Sequence, residues 1–258
     1  MAGAGPVSRF RVGRRVRLLP RPDGESAKNR PSSPHCLIAG HRPLVYNRAV
    51  RIEEAPPEWL RSVVTPAYMV GPRVTLRHVS LGFNREEMLR QFRWGQDDEL
   101  QFWSGSVPAA PSLAQFEAEV LTWCDNHDAR RDRYVILDEA GTMIGIVSYF
   151  NLIYERRQAE LGIYIGERSC WSRGYGTEAI LTLMGHLFRY TNLNSMILTT
   201  YASNARAQAC YRKCGFEMVG SSRKFSGRAG YYVDVQMRLT RERFQHLHGT
   251  RPISIHFR

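Results

Sequence analysis

The sequence predicts an α/β domain built on a mixed sheet, and three observations lead there. Short β-rich runs at Arg73–Val79, Arg133–Leu137 and Met143–Phe150, the last two joined as a hairpin, come first, with two capped helices between them. From Ala159 to Tyr201 the order changes to strand, glycine loop, amphipathic helix and strand, the pattern of a crossover unit. The chain has 258 residues, 43% of them hydrophobic, which suits one ordinary domain with a tail or two small ones. The boundaries expected are a basic extension over residues 1–66, the folded domain over 67–245 and a short tail over 246–258.

The extension mixes Arg with Pro, Gly and Ser and shows no sustained period, so it is expected to stay disordered or to pack loosely. The charge sits there too: residues 1–51 carry +9 of the formal net +12. The basic excess therefore says little about what the folded part binds. Two readings are open for it, an RNA- or membrane-surface arm or a nonspecific tail upstream of a true start near Met69.

From Val70 the pattern is regular. Arg73–Val79 alternates as a half-buried strand does. Asn84 can cap a helix through Met88, Leu89, Phe92 and Arg93 that ends near Gly95. The acidic run Asp97, Asp98 and Glu99, the pair Phe102 and Trp103, and a Pro-containing loop come next. Ser112 and Gln115 form a capping-box pattern that opens a second helix with Phe116, Val120, Leu121 and Trp123. Arg133–Leu137 and Met143–Phe150 read as strands of a hairpin turning at Asp138–Gly141, and Ala159–Ile165 as a third strand. Between Thr177 and Tyr190 the residues Ile180, Leu183, Met184, Leu187 and Phe188 make one apolar helical stripe. Met196–Tyr201 is the next strand, Ser203 or Asn204 caps a short helix that Gly215 ends, and Tyr231–Leu239 alternates again before a frayed end.

Several function classes drop out. No apolar run approaches the ~18 residues that cross a bilayer, and no apolar stretch of ~7–15 residues follows the basic start as in a secretory signal. Five cysteines without a C-x-x-C pair suit a reducing cytoplasm and give no zinc site. His35, Cys36 and His41 are isolated ligand types in a Pro/Ser-rich segment and read as incidental, so no metal is expected.

Gly174, Tyr175, Gly176 and Thr177 stand where a loop becomes a helix. Glycines admit close backbone approach, and a helix start offers unpaired N–H groups at the positive end of its dipole, so the place suits an anion. A P-loop needs Lys and Ser/Thr after its last glycine, and Thr177-Glu178 stands there instead. Gly174-x-Gly176-x-x-Ala179 matches a dinucleotide fingerprint, but seven residues separate it from Gly166, and Thr199–Tyr201 lacks the ribose-binding acid. A plain strand–helix turn is the bland alternative.

The stretch CWSRGYGTEA, followed by NARAQACYRKCGF, resembles the GCN5-related N-acetyltransferase family, in particular the branch of ribosomal-protein-alanine and spermidine acetyltransferases. The likeness covers about Val70 to Leu239, and departs at Trp171, where the family often carries Gln or Arg. It implies a single domain with a mixed, mostly antiparallel sheet flanked by helices, acetyl-coenzyme A (acetyl-CoA) as cofactor, and acetyl transfer to an amine. The cofactor would be held by Trp171, by the backbone from Ser172 through Gly174, Tyr175, Gly176 and Thr177, and by Asn204, with Arg173 adding positive charge. Strands Gly162–Ile165 and Met196–Tyr201 would splay apart, and a backbone N–H near Tyr164 or Ile165 would meet the developing oxyanion. Glu160 would act as base through water, and Tyr211 would protonate the leaving thiolate; each has a plain structural alternative, as a strand-edge carboxylate and a core aromatic. Cys210 and Cys214 read as small buried thiols. Asp97, Asp98 and Glu99 would draw the acceptor amine or make a plain solvated loop, and Trp103, with Phe102, Tyr149 and Phe150, would shape its pocket or fill the core. Expected partners are a protein N-terminus, a polyamine or an aminoglycoside-like amine, with no membrane, nucleic acid only through residues 1–51, and a homodimer open to it. A noncatalytic acyl-CoA-binding module, or a nucleic-acid-binding protein using the Arg-rich tail, is the alternative class. The excess of Arg over Lys, 33 to 3, points to a GC-rich and hence bacterial genome.

Overall fold

The computed structural model of the chain describes residues 65–104, 110–124, 130–226, 230–249 and 252–256. The expectations for residues 1–64, the His35, Cys36 and His41 group among them, lie outside the described residues. So do residues 105–109 and the side chain of Trp123. In chain order the strands are β1 (Tyr68–Val70), β2 (Thr75–His78), β3 (Asp132–Leu137), β4 (Met143–Ile153), β5 (Gln158–Ile165), β6 (Ser195–Tyr201), β7 (Glu217–Ser226), β8 (Gly230–Thr240) and β9 (Ser254–His256). The helices are α1 (Arg85–Gly95), α2 (Asp98–Ser104), α3 (Leu113–Cys124), α4 (Tyr175–Tyr190), α5 (Ala205–Lys213) and α6 (Arg241–His248). Among the described residues the strands make one sheet in the order β7-β8-β6-β5-β4-β3-β2-β1-β9. Every pairing is antiparallel except that of β5 with β6.

Local chemistry explains the boundaries. The Asn84 side chain accepts from the Glu87 N–H while Glu87 accepts from the Asn84 N–H, a complete capping box for α1. The β3–β4 turn is closed by Asp138, whose carboxylate accepts from the N–H groups of Ala140 and Thr142, with Gly141 left-handed. Ser112 Oγ accepts from Gln115 N–H and starts α3.

The sheet packs on α4 through Ala179, Ile180, Leu183, Met184, Leu187 and Phe188, against Leu76, Ile136, Ile144, Leu161, Met196, Leu198, Met237 and Leu239. Each large side chain so buried contributes about 1.5–3 kcal/mol. The single stripe expected for α4 is too narrow: Thr182, Gly185 and His186 are buried as well. Gly71 stands against Thr182, and the chain's end covers Gly185. The Ile253 side chain lies against Gly185, so closely that a Cβ there would sit 1.9 Å from Ile253 Cδ1, and Phe244 of α6 packs on Phe188.

Two expectations change accordingly. Within the expected tail, residues 246–249 and 252–256 belong to the fold, because α6 runs to His248 and β9 pairs with β1. Met69 does not precede the first strand but lies fully buried inside β1. Strand β7 had no counterpart in the expected elements; its residues are exposed, so the core-facing alternation that marks the other strands is lacking. No described helix is long and apolar enough to cross a membrane.

Candidate active site at the parting of two strands

Strands β5 and β6 pair over only three residue pairs, Gln158–Ser195, Ala159–Met196 and Glu160–Ile197. Beyond Glu160 they part, as the expected splay required. Gly166 N–H donates to Ile144 C=O (2.9 Å) and continues the β4–β5 register. In an antiparallel ladder the backbone groups alternate in direction. Tyr164 and Gly162 therefore turn their N–H and C=O groups to β4, and Ile163 and Ile165 turn theirs to the gap. This corrects the expectation for Tyr164: its N–H belongs to the ladder, and Ile165 and Ile163 are the edge donors. The Tyr164 ring packs edge-on against Trp94 (6.1 Å between centroids), and burial pushes its hydroxyl up to about 12.

Helix α4 begins beside that edge. Gly176 lies against Ile165 Cγ1, Ile163 Cδ1 and Cys210 Sγ, where a Cβ would sit 3.8, 4.0 and 3.5 Å away. The helix has no side-chain cap, so the N–H groups of its first turn stay available. Its N-cap Gly174 has φ 90°, and Ser172 two residues earlier has φ 60°; left-handed residues of this kind turn backbone N–H groups into an anion-binding concavity. Arg73, which the sequence did not single out, donates to the Arg173 carbonyl (2.8 Å) and lies over the Tyr175 ring (4.6 Å). Glu139 holds both neighbours, accepting from Arg73 Nε (3.0 Å) and Tyr175 Oη (2.8 Å). Uncapped N–H groups, a left-handed glycine, two nearby guanidiniums and an open strand edge fit the pyrophosphate and amide-bearing arm of acetyl-CoA.

Trp171 serves this loop differently from a direct ligand. Its indole N–H donates to the Ile165 carbonyl (2.7 Å), and Arg206 stacks on the ring at 3.7 Å with Arg168 at 5.4 Å. Asn204 Oδ1 accepts from Ala207 N–H (3.1 Å) and caps α5. Cys210 meets Thr177 Oγ1 at 3.3 Å, and the hydrogen bond from the Cys214 thiol holds Cys210 below the usual thiol range. Tyr211 packs on Phe216 (6.0 Å), and burial, with the two thiols beside it, pushes its hydroxyl far up.

Glu160, Gly162 and Tyr164 alternate onto the sheet face opposite α4, with Phe150 paired to Glu160. Strand β4 bulges between Phe150 and Ile153, and left-handed Asn151 (φ 50°) at the bulge donates from Nδ2 to Glu160 Oε1 (3.3 Å). Asn151 was not among the expected site residues; its place in an apolar strand was the only signal. Tyr149 turns to the α4 core, so it shapes no acceptor pocket. Over the far side of the gap, Phe102 stacks on Tyr201 (5.3 Å, 10°), Trp103 meets the same ring edge-on (6.2 Å), and Tyr232 follows at 5.0 Å.

Two carboxylates of the acidic run, Asp97 and Glu99, are engaged within the protein. Asp97 accepts from Leu100 N–H and starts α2, with Asp98 and Glu99 in its first turn. Arg168 grips Asp97 through two bonds (2.8 and 2.7 Å) and Glu99 through a third (2.6 Å). The Arg168 guanidinium holds Asp97 down to about 2. These carboxylates are already paired to the loop that precedes α4.

Comparison with known proteins gives one family, described as an acetyltransferase (GNAT) domain, matched over residues 73–217. The human alpha/beta-tubulin-N-acetyltransferase 9 is 26% identical over 169 residues, 61% of this chain and 76% of that protein. The spermidine N(1)-acetyltransferase of Vibrio cholerae is 28% identical over 110 residues, 43% of this chain and 63% of that protein. A solved spermidine N-acetyltransferase from Vibrio cholerae, in complex with CoA and spermine, shares the fold with TM-score 0.57 and 21% identity, over 66% of this chain and 97% of that one.

Proposed function

Because the chain belongs to the GNAT acetyltransferase family, and is thereby an acetyl-CoA-dependent N-acetyltransferase, we propose that it acetylates a primary amine by direct attack where β5 and β6 part. One observation carries this: the pairing stops at Glu160–Ile197, and the uncapped start of α4 lies against the edge residues just beyond.

Bound acetyl-CoA would supply a thioester, an acyl group already activated toward amines. The first-turn N–H groups of α4, from Tyr175 to Thr177, hold the anionic part, with Arg73 and Arg173 adding charge. The backbone groups of Ile163 and the N–H of Ile165 hydrogen-bond an extended amide arm as an added strand would. An edge N–H also stands ready for an oxygen that gains negative charge, a donor whose loss costs about 2.7–4 kcal/mol in the barrier. An amine of pKa ~10 is mostly protonated at neutral pH, so a proton acceptor is needed. Glu160 takes that proton, directly or through one water, while Asn151 fixes its Oε1. Tyr211, which keeps its proton at neutral pH, would hydrogen-bond the departing sulfur and pass it that proton, regaining one from the amine or from water.

Thiol release from acetyl-CoA, measured with peptide α-amines, polyamines and aminoglycosides, tests this. The expected result is amine-dependent release that falls at least tenfold in Glu160→Gln. Binding of acetyl-CoA without release on any amine would contradict it.

A further inference from the structure

On the acceptor face, beyond the parting, lies a groove of about 210 Å³ that the acetyl-transfer chemistry does not use. Its floor is Thr199 of β6, Gln236 of β8 and Gly220 and Ser222 of β7, and its far wall is the pair Lys224–Asp234 (2.8 Å). These residues share the face of Glu160. Ile197, paired with Glu160, lies two residues before Thr199; Thr199 pairs with Gln236, Gln236 with Gly220, and Asp234 with Ser222. Strands are ~4.8 Å apart, so the groove leads away from Glu160 across β6 and β8 over roughly 10–15 Å, the reach of about three or four extended residues. Strand β7 bulges between Met218 and Gly220, and nothing lies within 4 Å of where a Gly220 Cβ would point.

The charge pattern says what fits. A polyamine presents several ammonium groups and needs a carboxylate for each. The one carboxylate lining the groove among the described residues, Asp234, is already matched by Lys224, whose side chain is 48% exposed, and at the start of α2 Asp97 and Glu99 are matched by Arg168. Among the described residues Glu160 is held only by the neutral Asn151 amide, so its charge is available to an ammonium. The groove floor offers hydroxyls and an amide, Thr199, Ser222 and Gln236, whose side chains have no intramolecular hydrogen bond among the described residues. Such groups match the alternating N–H and C=O of a backbone.

We infer that the acceptor is the α-amino end of a peptide chain, whose second to fourth residues lie in the β6–β8–β7 groove, and not a polyamine. The inference rests on the acetyltransferase function proposed above and names its substrate class. One positive charge enters at Glu160, and the segment that follows is read by backbone hydrogen bonds. The Lys224–Asp234 pair closes the far wall without a free carboxylate for a second cation.

The test measures kcat/KM of the full chain with acetyl-CoA on a dipeptide, a lysine-free tetrapeptide with a free N-terminus, and spermidine. The tetrapeptide is expected to exceed both others by at least tenfold. Gly220→Trp, whose Cβ would meet nothing within 4 Å, places a bulky ring at the groove floor and is expected to bring the tetrapeptide-to-dipeptide ratio down toward one, chiefly through KM, with the thermal midpoint used to confirm folding. Lys224→Glu is expected to raise spermidine acetylation several-fold relative to the tetrapeptide, and it checks the charge argument should the tryptophan perturb the hairpin. Spermidine turnover equal to or above that of the tetrapeptide, or a Gly220→Trp enzyme with an unchanged ratio, would overturn the inference while leaving the acetyltransferase function intact. Absence of thiol release with all three acceptors would instead remove that function and the inference with it.

Discussion

At the scale of single residues, three positions divide binding from chemistry. Gly174 holds φ 90°, a conformation that costs an L-residue roughly 1–2 kcal/mol, and Arg73 Nη1 would stand 3.5 Å from any Cβ there. Gly174→Val is therefore expected to raise the KM for acetyl-CoA about tenfold or more with a smaller effect on kcat, as steady-state kinetics would show. Tyr211→Phe keeps the packing on Phe216 and removes the proton, so kcat should fall by an order of magnitude or more while acetyl-CoA affinity, measured by calorimetry, changes little. Unaltered turnover would make Tyr211 a core aromatic only. Glu160→Gln keeps the contact from Asn151 but removes the basic oxygen, and general-base loss typically costs 10²–10⁴-fold in rate. Motif and spacing single out the glycine loop and Tyr211 in the sequence, and its place at the start of a strand singles out Glu160. Asn151, Arg73 and Glu139 are not singled out: their roles depend on a bulge and on two turns that meet only after the sheet has formed.

At the scale of elements, the acceptor-side helix is tied to the cofactor loop. Arg168, in the turn before Trp171, binds the start of α2 through Asp97 and Glu99, and α2 carries Phe102 and Trp103 to Tyr201. Arg168→Gln should free α2 and raise the acceptor KM more than the acetyl-CoA KM. Its pH signature follows from Asp97, whose carboxyl Arg168 holds at about 2 against an ordinary 3.8. A depressed carboxyl adds stability that is present above about pH 4 and is lost as pH falls toward 2. Thermal midpoints recorded across that window should fall less steeply in Arg168→Gln than in the unaltered protein. The acidic run opens α2, a helix the sequence reading did not expect, and that reading left the run open between a substrate attractor and a solvated loop. The partner of Asp97 stands 71 residues away, a pairing that local pattern cannot show. The helices and hairpin strands with strong caps and clean alternation were legible; β7, exposed at the sheet edge, and the short β1 and β9 carried no periodic signal of their own.

At the scale of the whole molecule, the central helix α4 is enclosed by the sheet on one side and by the chain's end on the other. Removing residues 250–258 would take away β9 and the Ile253 contact with Gly185. Burying part of one isoleucine contributes about 1–2 kcal/mol, so the melting midpoint should drop by roughly 3–6 °C. His186 of α4 is buried, its Nδ1 without a hydrogen-bond partner, and burial pushes it down to about 4 although Asp132 pulls the other way. The unfolded chain takes up that proton near 6.5 while the fold resists it, so stability is whole above about pH 6.5 and is lost between 6.5 and 4. The loss reaches roughly 3 kcal/mol if the whole shift is realised, and denaturation curves of His186→Leu should show a shallower slope over that range. These effects frame the site and do not create it; the central claim is that the start of α4 and the open β5 edge hold acetyl-CoA for attack by an amine. Incubation with acetyl-CoA labelled in the acetyl group and a free-amine peptide, read by mass spectrometry, tests that most directly. The label is predicted on the peptide amine with the unaltered chain and at least tenfold less with Gly174→Val at the same subsaturating acetyl-CoA. Label that never reaches an amine, or reaches it equally with Gly174→Val, would contradict the account.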